Sequence, residues 1–299
     1  FMGLVGSEMC IRDRSMVEIP SKQIKTKEIL DWQGIHLIHF SGSSCSQKLR
    51  IYLNFKGIKW QSHSINIATG QNYSNWFLGI NPRGLLPVLV DDGRVIIESN
   101  DIIQYLENKF PQPTLISENQ QSSMSVALQN EDDLHIDIRN VAYKYMFGGL
   151  GAKKPENLKR FEGYKTDADE ITLKHKKEEV DFYKNFKKNG ITDEAIKKSL
   201  TNFEKHYKIF DQQLENQKFL LGDHLSVLDI AWFIYTYRLT ISEFPFKQKY
   251  PNVYKWYNLL YARNEFYKEV KPPFIFYLVR KISLLKARLS KTAIHNFVS

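Results

Sequence analysis

The sequence predicts a small α/β domain followed by a larger all-α domain. Three observations carry this. Short apolar runs of β type fall at residues 35–40, 59–67, 87–90 and 95–97, all within the first 110 positions. Asp91-Asp92-Gly93 sits between two of them, a strong hairpin signal. From about residue 124 onward no convincing strand remains and long helical periods dominate. The 299 residues are 42% hydrophobic and 25% charged, an ordinary globular balance. Two cysteines, Cys10 and Cys45, exclude a disulfide framework. No stretch approaches the roughly 20 consecutive apolar residues of a spanning helix, which excludes a polytopic membrane protein. Cytoplasm is the expected compartment.

Taken in order, the run at 35–40 reads as a strand, and Ser41-Gly42-Ser43-Ser44 as the loop after it. From Cys45 the pattern turns helical, because Leu49 with Leu53 and Ile51 with Phe55 share i, i+4 spacing, and Gly57 stands where a helix ends. A strand over 59–67 and a helical segment over 73–80 follow, and Asn81-Pro82-Arg83-Gly84 breaks the chain. After the hairpin, Ser99 starts a helix with Ile102, Ile103, Leu106 and Phe110 on one side, stopped by Pro111 and Pro113. The order β-α-β-α-β-β-α is thioredoxin-like. Residues 111–123, rich in Pro, Gln and Ser, read as a linker. Helices are expected near 124–147, 168–188, 193–217, 226–241 and 251–269, with a loop through 148–163. Ser226-Val227-Leu228-Asp229 is a capping box before the apolar Ile230-Ala231-Trp232-Phe233-Ile234, so this helix should be the buried axis of the second domain.

The ends differ from the body. Glu8-Met9-Cys10-Ile11-Arg12-Asp13-Arg14 resembles a translated sequencing adapter, so residues 1–15 are read as non-native sequence, with Met16 the start and Cys10 dropped from the thiol count. A genuine N-terminus is the other reading. Residues 16–34 form an N-terminal extension, 35–110 the thioredoxin-like domain, 111–123 the linker, 124–271 the helical domain and 272–299 a tail. From 271 to 299 there are six basic residues and no Asp or Glu, so this end supplies +6 of the net +9. A basic patch confined to one end argues for a local acidic contact and against a nucleic-acid groove. Phe274, Leu278, Ile282, Leu285 and Leu289 repeat at helical spacing after Pro272-Pro273, giving an amphipathic basic helix. Either it lies on an anionic membrane surface or it packs on the second domain with a solvated basic face.

Ser43-Ser44-Cys45-Ser46-Gln47-Lys48-Leu49-Arg50, then Asn81-Pro82-Arg83-Gly84-Leu85-Leu86-Pro87-Val88-Leu89 and Glu98-Ser99, resemble cytosolic glutathione transferases over about residues 35–273. The Ser-Ser-Cys start is similar to the zeta class, which includes maleylacetoacetate isomerases and tetrachlorohydroquinone reductive dehalogenases. Ser46 to Arg50 are also similar to the ganglioside-induced differentiation-associated proteins. Lys48 stands where zeta isomerases usually carry Arg, a point charge in place of a planar fork.

The resemblance implies a glutathione transferase fold, glutathione as cosubstrate, and a homodimer. It gives the thiol-activating role to Ser43, with Ser44 as neighbour, whereas the residues alone allow helix capping by either. It allows Cys45 to form a mixed disulfide with glutathione; a small buried residue is the alternative. At a first helical turn a thiol's pKa is lowered. It implies a cis Leu86–Pro87 bond, with the Leu86 backbone pairing with glutathione's cysteinyl main chain. Glu98 and Ser99 would hold the γ-glutamyl group, though Ser99 alone reads as an N-cap, and Gln71 would add a glycyl contact. Tyr143, Tyr145, Phe147, Trp232, Tyr235 and Tyr237 are either core or an acceptor pocket. The eight histidines show no metal-ligand spacing, so no metal is expected. The expected function is activation of the glutathione thiol for conjugation to, or exchange on, a small electrophile such as a halogenated aromatic or aryl ether. The alternative is a noncatalytic module of this fold at a membrane surface. Ser43, Cys45, Pro87 and Glu98-Ser99 favour the enzyme, since a module that does not use glutathione has no need of them.

Overall fold

The computed structural model describes residues 16–116, 121–147, 153–272 and 274–298. The readings that fall on residues 1–15, on Cys10, on part of the linker, on Gly148-Gly149 and on Pro273 lie outside these. The first domain is a five-stranded sheet: β1 (Glu18–Ile19), β2 (Ile35–His39), β3 (Gln61–Ser64), β4 (Val88–Asp91) and β5 (Arg94–Ile97), in the order β1-β5-β4-β2-β3. The β2–β3 pair is parallel and the others antiparallel. Alternation along the strands sends Leu37, Leu89 and Ile96 to one side and Ile38, Val88, Val90, Val95 and Ile97 to the other. On the first side lie α1 (Ser44–Lys56) and α3 (Ser99–Lys109), and the second packs on α2 (Asn75–Leu78) and on the 3-10 turn Lys27–Asp31.

Local chemistry sets these boundaries. The hairpin turn has positive φ at Asp92 (47°) and Gly93 (77°), the two-residue geometry that an Asp-Gly pair favours. A Cβ at residue 93 would stand 2.2 Å from the Leu30 carbonyl oxygen, so the position admits glycine alone. Gly57 closes α1 in the left-handed region, with φ 66°. The segment 16–34 is more than an extension, because β1 pairs with β5 and Ile24 and Ile29 are buried in the lower core. The structure also shortens two expected elements. β3 covers only Gln61–Ser64, and the helical stretch at 73–80 reduces to a 3-10 turn, Gln71–Tyr73, and the single turn of α2.

The second domain is helical: α4 (Gln121–Asp132), α5 (His135–Val141), α6 (Pro155–Gly163), α7 (Glu170–Asn189), α8 (Asp193–Gln213), α9 (Val227–Ile241), α10 (Phe246–Lys249), α11 (Pro251–Tyr261), α12 (Asn264–Val270) and α13 (Phe274–Leu289). Three expectations are corrected. The helix expected over 124–147 breaks between Asp132 and His135, and its last stretch, Ala142–Phe147, is wound as a wider π turn. The expected loop contains α6, which starts on Pro155 and buries Phe161 against Tyr73. The helix expected over 251–269 is two, parted at Ala262-Arg263.

The α9 helix is the buried axis, as its apolar run implies. At its start the Asp229 carboxylate accepts from Ser226 N (2.9 Å), Ser226 Oγ (2.6 Å), Leu220 N (2.9 Å) and Trp256 Nε1 (2.9 Å). Burial pushes its pKa up against these four donors. One side chain thus ties α9 to α11 and to the preceding loop. The α13 helix packs through Leu284 and Ala287, while Arg280 donates to the Ile241 carbonyl and Arg288 pairs with Glu243. Its other face differs from a merely solvated basic one. Phe274, Leu278, Ile282, Leu285 and Leu289, the predicted stripe, are 40–78% exposed. Among the described residues no helix is long and apolar enough to cross a membrane.

Asp229→Ala leaves three buried N–H donors without their acceptor at about 1–3 kcal/mol each, so the variant should lose about 3 kcal/mol or more of stability. Urea denaturation checks it, and Asp229→Asn should recover part of the loss.

Candidate active site

The site forms where β2 delivers the chain to α1. Two buried guanidinium groups hold the connecting loop by its carbonyls. Arg50 donates to Phe40 O (3.2 Å) and Ser41 O (3.1 Å), and Arg238 of α9 to Gly42 O (2.7 Å). The residue after this clamp, Ser43, is the N-cap of α1, and its Oγ accepts from Ser46 N at 3.3 Å. A hydroxyl has two lone pairs and one proton, so capping leaves the Ser43 O–H to donate. The capping and thiol-activating readings are therefore compatible. Ser44 and Cys45 follow in the first helical turn, both half-buried.

Deeper in α1, Lys48 is 1% exposed and donates to Glu131 Oε2 and Asn100 Oδ1, both at 2.8 Å. Its partners stand on α4 and α3, and its ammonium is committed to the ion pair with Glu131. Burial pulls its pKa down, but the Glu131 and Asp132 charges prevail and raise it. Burial likewise pushes Glu131 up, and the Lys48 and His135 charges carry it down.

The second wall is the entry to α3. The Leu86–Pro87 bond is cis and leads into β4. Glu98, the N-cap of α3, is held at φ 66°, a region that costs a non-glycine residue energy and tends to persist at functional sites. Its Oε1 accepts from Arg83 Nη1 at 2.6 Å, and Arg83 Nε donates to Thr172 Oγ1 of α7. Ser99 is the buried first residue of the helix, in its N-terminal turn. Gln71 lies exposed in the 3-10 turn, and its side-chain oxygen accepts from Asn66 N at 2.6 Å, which ties the side chain to the loop.

The six aromatic candidates separate. Tyr145, Trp232, Tyr235 and Tyr237 are buried in the core. Three of them bond to backbone carbonyls, Tyr145 to Thr292, Tyr235 to Glu131 and Tyr237 to Val270. Tyr143 and Phe147 stay half-buried, in a cluster with Phe182, Phe186 and Phe276.

One contact was not legible in the sequence. His135, the first residue of α5, places Nε2 3.1 Å from Cys45 Sγ, and its Nδ1 lies 3.4 Å from Asp132 Oδ1. Ninety positions separate the cysteine from this histidine, and Asp132 and His135 three residues apart form too common a pair to single out. Burial pushes the Cys45 thiol up, but the His135 charge and hydrogen bond, with Lys48 behind, outweigh it and the net direction is down. Burial pulls His135 down, while the Cys45 charge and hydrogen bond, with Glu131 and Asp132, raise it to about 9. A broad cleft of about 1000 Å³ lined by Lys25, Trp76, Arg160 and Tyr164, among others, shares no residue with this site and holds neither cysteine nor histidine.

Removing one partner of a buried ion pair costs about 3–5 kcal/mol because the other charge stays buried. Glu131→Ala should therefore destabilise the protein by about that much, and Lys48→Met in the same chain should restore much of it. Chemical denaturation of the single and double variants measures the difference.

Comparison with known proteins identifies the family. Residues 37–114 match the family model for the glutathione S-transferase N-terminal domain, and residues 171–264 that for the C-terminal domain. A zeta-class glutathione S-transferase of Euphorbia esula is 39% identical over 82 residues, 27% of this chain and 36% of that one. Maleylacetoacetate isomerase of Pseudomonas aeruginosa is 41% identical over 78 residues, 25% and 37%. LigF of a Sphingobium strain is 36% identical over 78 residues, 26% and 30%. These alignments span about two-fifths of the relatives' length or less. The crystal structure of the Sphingobium β-etherase LigF superposes with a TM-score of 0.64 at 21% identity, over 79% of this chain and 98% of that one. A Phanerochaete chrysosporium glutathione transferase solved with oxidised glutathione gives 0.56 at 18%, over 83% and 98%. With both domain models matched in order on a thioredoxin-like sheet and a helical second domain, the chain belongs to the glutathione S-transferase family.

Proposed function

We propose that this protein is a glutathione-dependent transferase that binds glutathione across the N-termini of α1 and α3 and uses its thiolate on a small electrophile. The observation that carries the reading is Ser43, an N-cap hydroxyl whose oxygen is engaged by Ser46 N and whose proton is left to donate. A thiol near pKa 8.5 needs about 1.4 kcal/mol for each unit of lowering. One hydrogen bond to a charged group supplies roughly 1.5–3 kcal/mol, and the helix N-terminus adds about 0.3–1 kcal/mol. Together these suffice for about two units. Glu98 and the Ser99 end of α3 take the γ-glutamyl amine and carboxylate, the Leu86 backbone before Pro87 takes the cysteinyl main chain, and the Gln71 amide is the remaining donor for the glycyl end. Tyr143 and Phe147 face the acceptor. Relatives named as transferase, isomerase and LigF support thiolate chemistry of this kind, and halogenated aromatics, aryl ethers and maleyl compounds are the electrophiles to test.

Calorimetry should find glutathione binding that weakens tenfold or more in Glu98→Ala and Ser99→Ala, a loss of about 1.4 kcal/mol or greater. Ser43→Ala should raise the pKa of the bound thiol, read by thiolate absorbance against pH, and lower turnover about 10- to 100-fold near neutrality. Wild type that binds no glutathione at millimolar concentration defeats the reading.

The exposed stripe of α13 favours a second, additional role, contact with an anionic membrane surface. Its buried face, with Arg280, Leu284 and Ala287, lies opposite the stripe, and exposed Lys281 and Lys286 flank it. No acidic residue lies between 271 and 299, and each basic residue near the headgroups adds about 1 kcal/mol. The protein should float with anionic liposomes at low salt, and a variant with Leu278, Ile282 and Leu285 changed to Ser should not. Failure of wild type to float contradicts the contact. A homodimer is also expected, and a fall in sedimenting mass in the same variant would instead assign the stripe to the pairing of two copies.

A further inference from the structure

We infer that Lys153 selects the acceptor, as the cation that receives the carboxylate of an aromatic acid whose ring lies among Tyr143, Phe147 and Phe182. The inference rests on the reading above for calling this face the acceptor side. Lys153 is half-buried, two positions before α6. Its Nζ donates to the Ile67 carbonyl at 2.6 Å and lies over the rings of Tyr73 at 5.2 Å and Tyr183 at 5.4 Å. Among the described residues no carboxylate stands within ion-pair distance of it. Glu179, the acid nearest in effect, is already engaged, with Oε2 2.6 Å from Arg139 Nη1 and Oε1 accepting from Tyr73 O–H at 3.5 Å. One carbonyl and two ring faces do not neutralise an ammonium, and a half-buried cation left in that condition is completed by an anion from outside.

This face adjoins the start of α1. His135, Arg139 and Tyr143 recur every four residues along α5 and the π turn after it, and the first of them lies on Cys45. Arg238, which holds the Gly42 carbonyl ahead of Ser43, is within electrostatic reach of both Cys45 and Tyr143. Tyr143 meets Tyr183 hydroxyl to hydroxyl at 2.8 Å, and Tyr183 is one of the two rings beneath Lys153. Tyr143, Phe147 and Phe182 are each half-buried, so part of every ring is open to a flat ligand.

The charges here come from each packed element: Arg139 from α5, Glu179 from α7 and Arg238 from α9, with the phenols Tyr73 from the 3-10 turn, Tyr143 from the π turn and Tyr183 from α7. Burial, with Glu179 adding, holds Tyr73 and Tyr183 well above the ordinary phenol range, and burial raises Tyr143, so all three stay neutral. Arg139 and Glu179 cancel as an ion pair, and Arg238 is turned to the loop carbonyl. Lys153 is thus the cation left for a ligand. Burial lowers its pKa to about 8 against the pull of Glu179, the cost that a bound carboxylate would relieve. The Tyr143–Tyr183 pair shares one proton and keeps the other to donate. An ester or amide of the same acid retains the ring contacts and loses the ion pair, so Lys153 acts on acceptor choice and not on the thiolate.

Calorimetry of the full chain with 3,5-dinitrobenzoate and with 3,5-dinitrobenzamide, rings that carry no halide leaving group, separates binding from turnover. At pH 7 wild type should bind the benzoate at least about tenfold more tightly than the benzamide, as one hydrogen bond to a charged group allows. Lys153→Gln should abolish the difference, and Lys153→Arg should keep most of it. The ammonium is lost as pH rises through about 8, so the wild-type preference should shrink between pH 7 and pH 9 while that of Lys153→Arg holds. Equal affinity for the two compounds, a preference unmoved in Lys153→Gln, or binding of neither at millimolar concentration overturns the inference. Glutathione is titrated beside them. If Lys153→Gln weakens glutathione by the same factor, the lysine serves the glycyl carboxylate and its assignment to the acceptor is wrong. If the benzoate preference appears and no glutathione binds, Lys153 marks an aromatic-acid site and the transferase reading above is what fails.

Discussion

The structure depends on a helix, α1, whose polar side chains are buried because their partners lie in the other domain. Lys48 reaches Glu131 of α4, Arg50 reaches Glu269 of α12 at 2.6 Å, and Gln47 bonds both the Glu269 carbonyl and Arg238. An isolated first domain would leave these groups facing solvent or unpaired in an apolar surface. Docking of the helical domain satisfies them together, so the orientation of α1, and of the loop that feeds it, is fixed by the seam. Ser43 and Cys45 owe their positions to this arrangement. The Phe40, Ser41 and Gly42 carbonyls are each held by a guanidinium anchored on one side of the seam or the other.

The same seam brings a base to the nucleophilic end of the helix. On either side of the break between α4 and α5, Glu131 faces Lys48 and His135 faces Cys45. Buried ion pairs are poor sources of net stability, because desolvation offsets most of the Coulomb gain. Their value here is geometric, since a slip of either domain would leave a buried charge unpaired.

Most of the first domain was legible in the sequence because its signals are local. Asp92-Gly93, Gly57 and the i, i+4 pairs of α1 each act within a few residues, as does the Ser226–Asp229 box of α9. What was not legible depends on distant partners. The strand β1 is two residues long and becomes a strand only by pairing with β5. Residues 155–163 carry a single strong apolar anchor, Phe161, and α6 is stabilised by packing that anchor against Tyr73. The stripe of α13 was found by its spacing, but which face would be covered was decided by Leu284, Ala287 and Arg280 meeting residues of the second domain. At the site, Ser43, the cis Leu86–Pro87 bond and the Glu98-Ser99 step could be singled out from a motif. His135 could not, because only the folded chain brings it to Cys45.

The proposed glutathione site lies across the N-termini of α1 and α3, at positions set by the interdomain seam. Backbone amide chemical shifts of the full-length protein, recorded as glutathione is added, test it most directly. Saturable shifts should concentrate at residues 43–47, 86–88 and 98–100, with smaller ones at His135. Shifts confined to the Lys25–Tyr164 cleft, or the absence of saturable shifts at both helix starts, would contradict it.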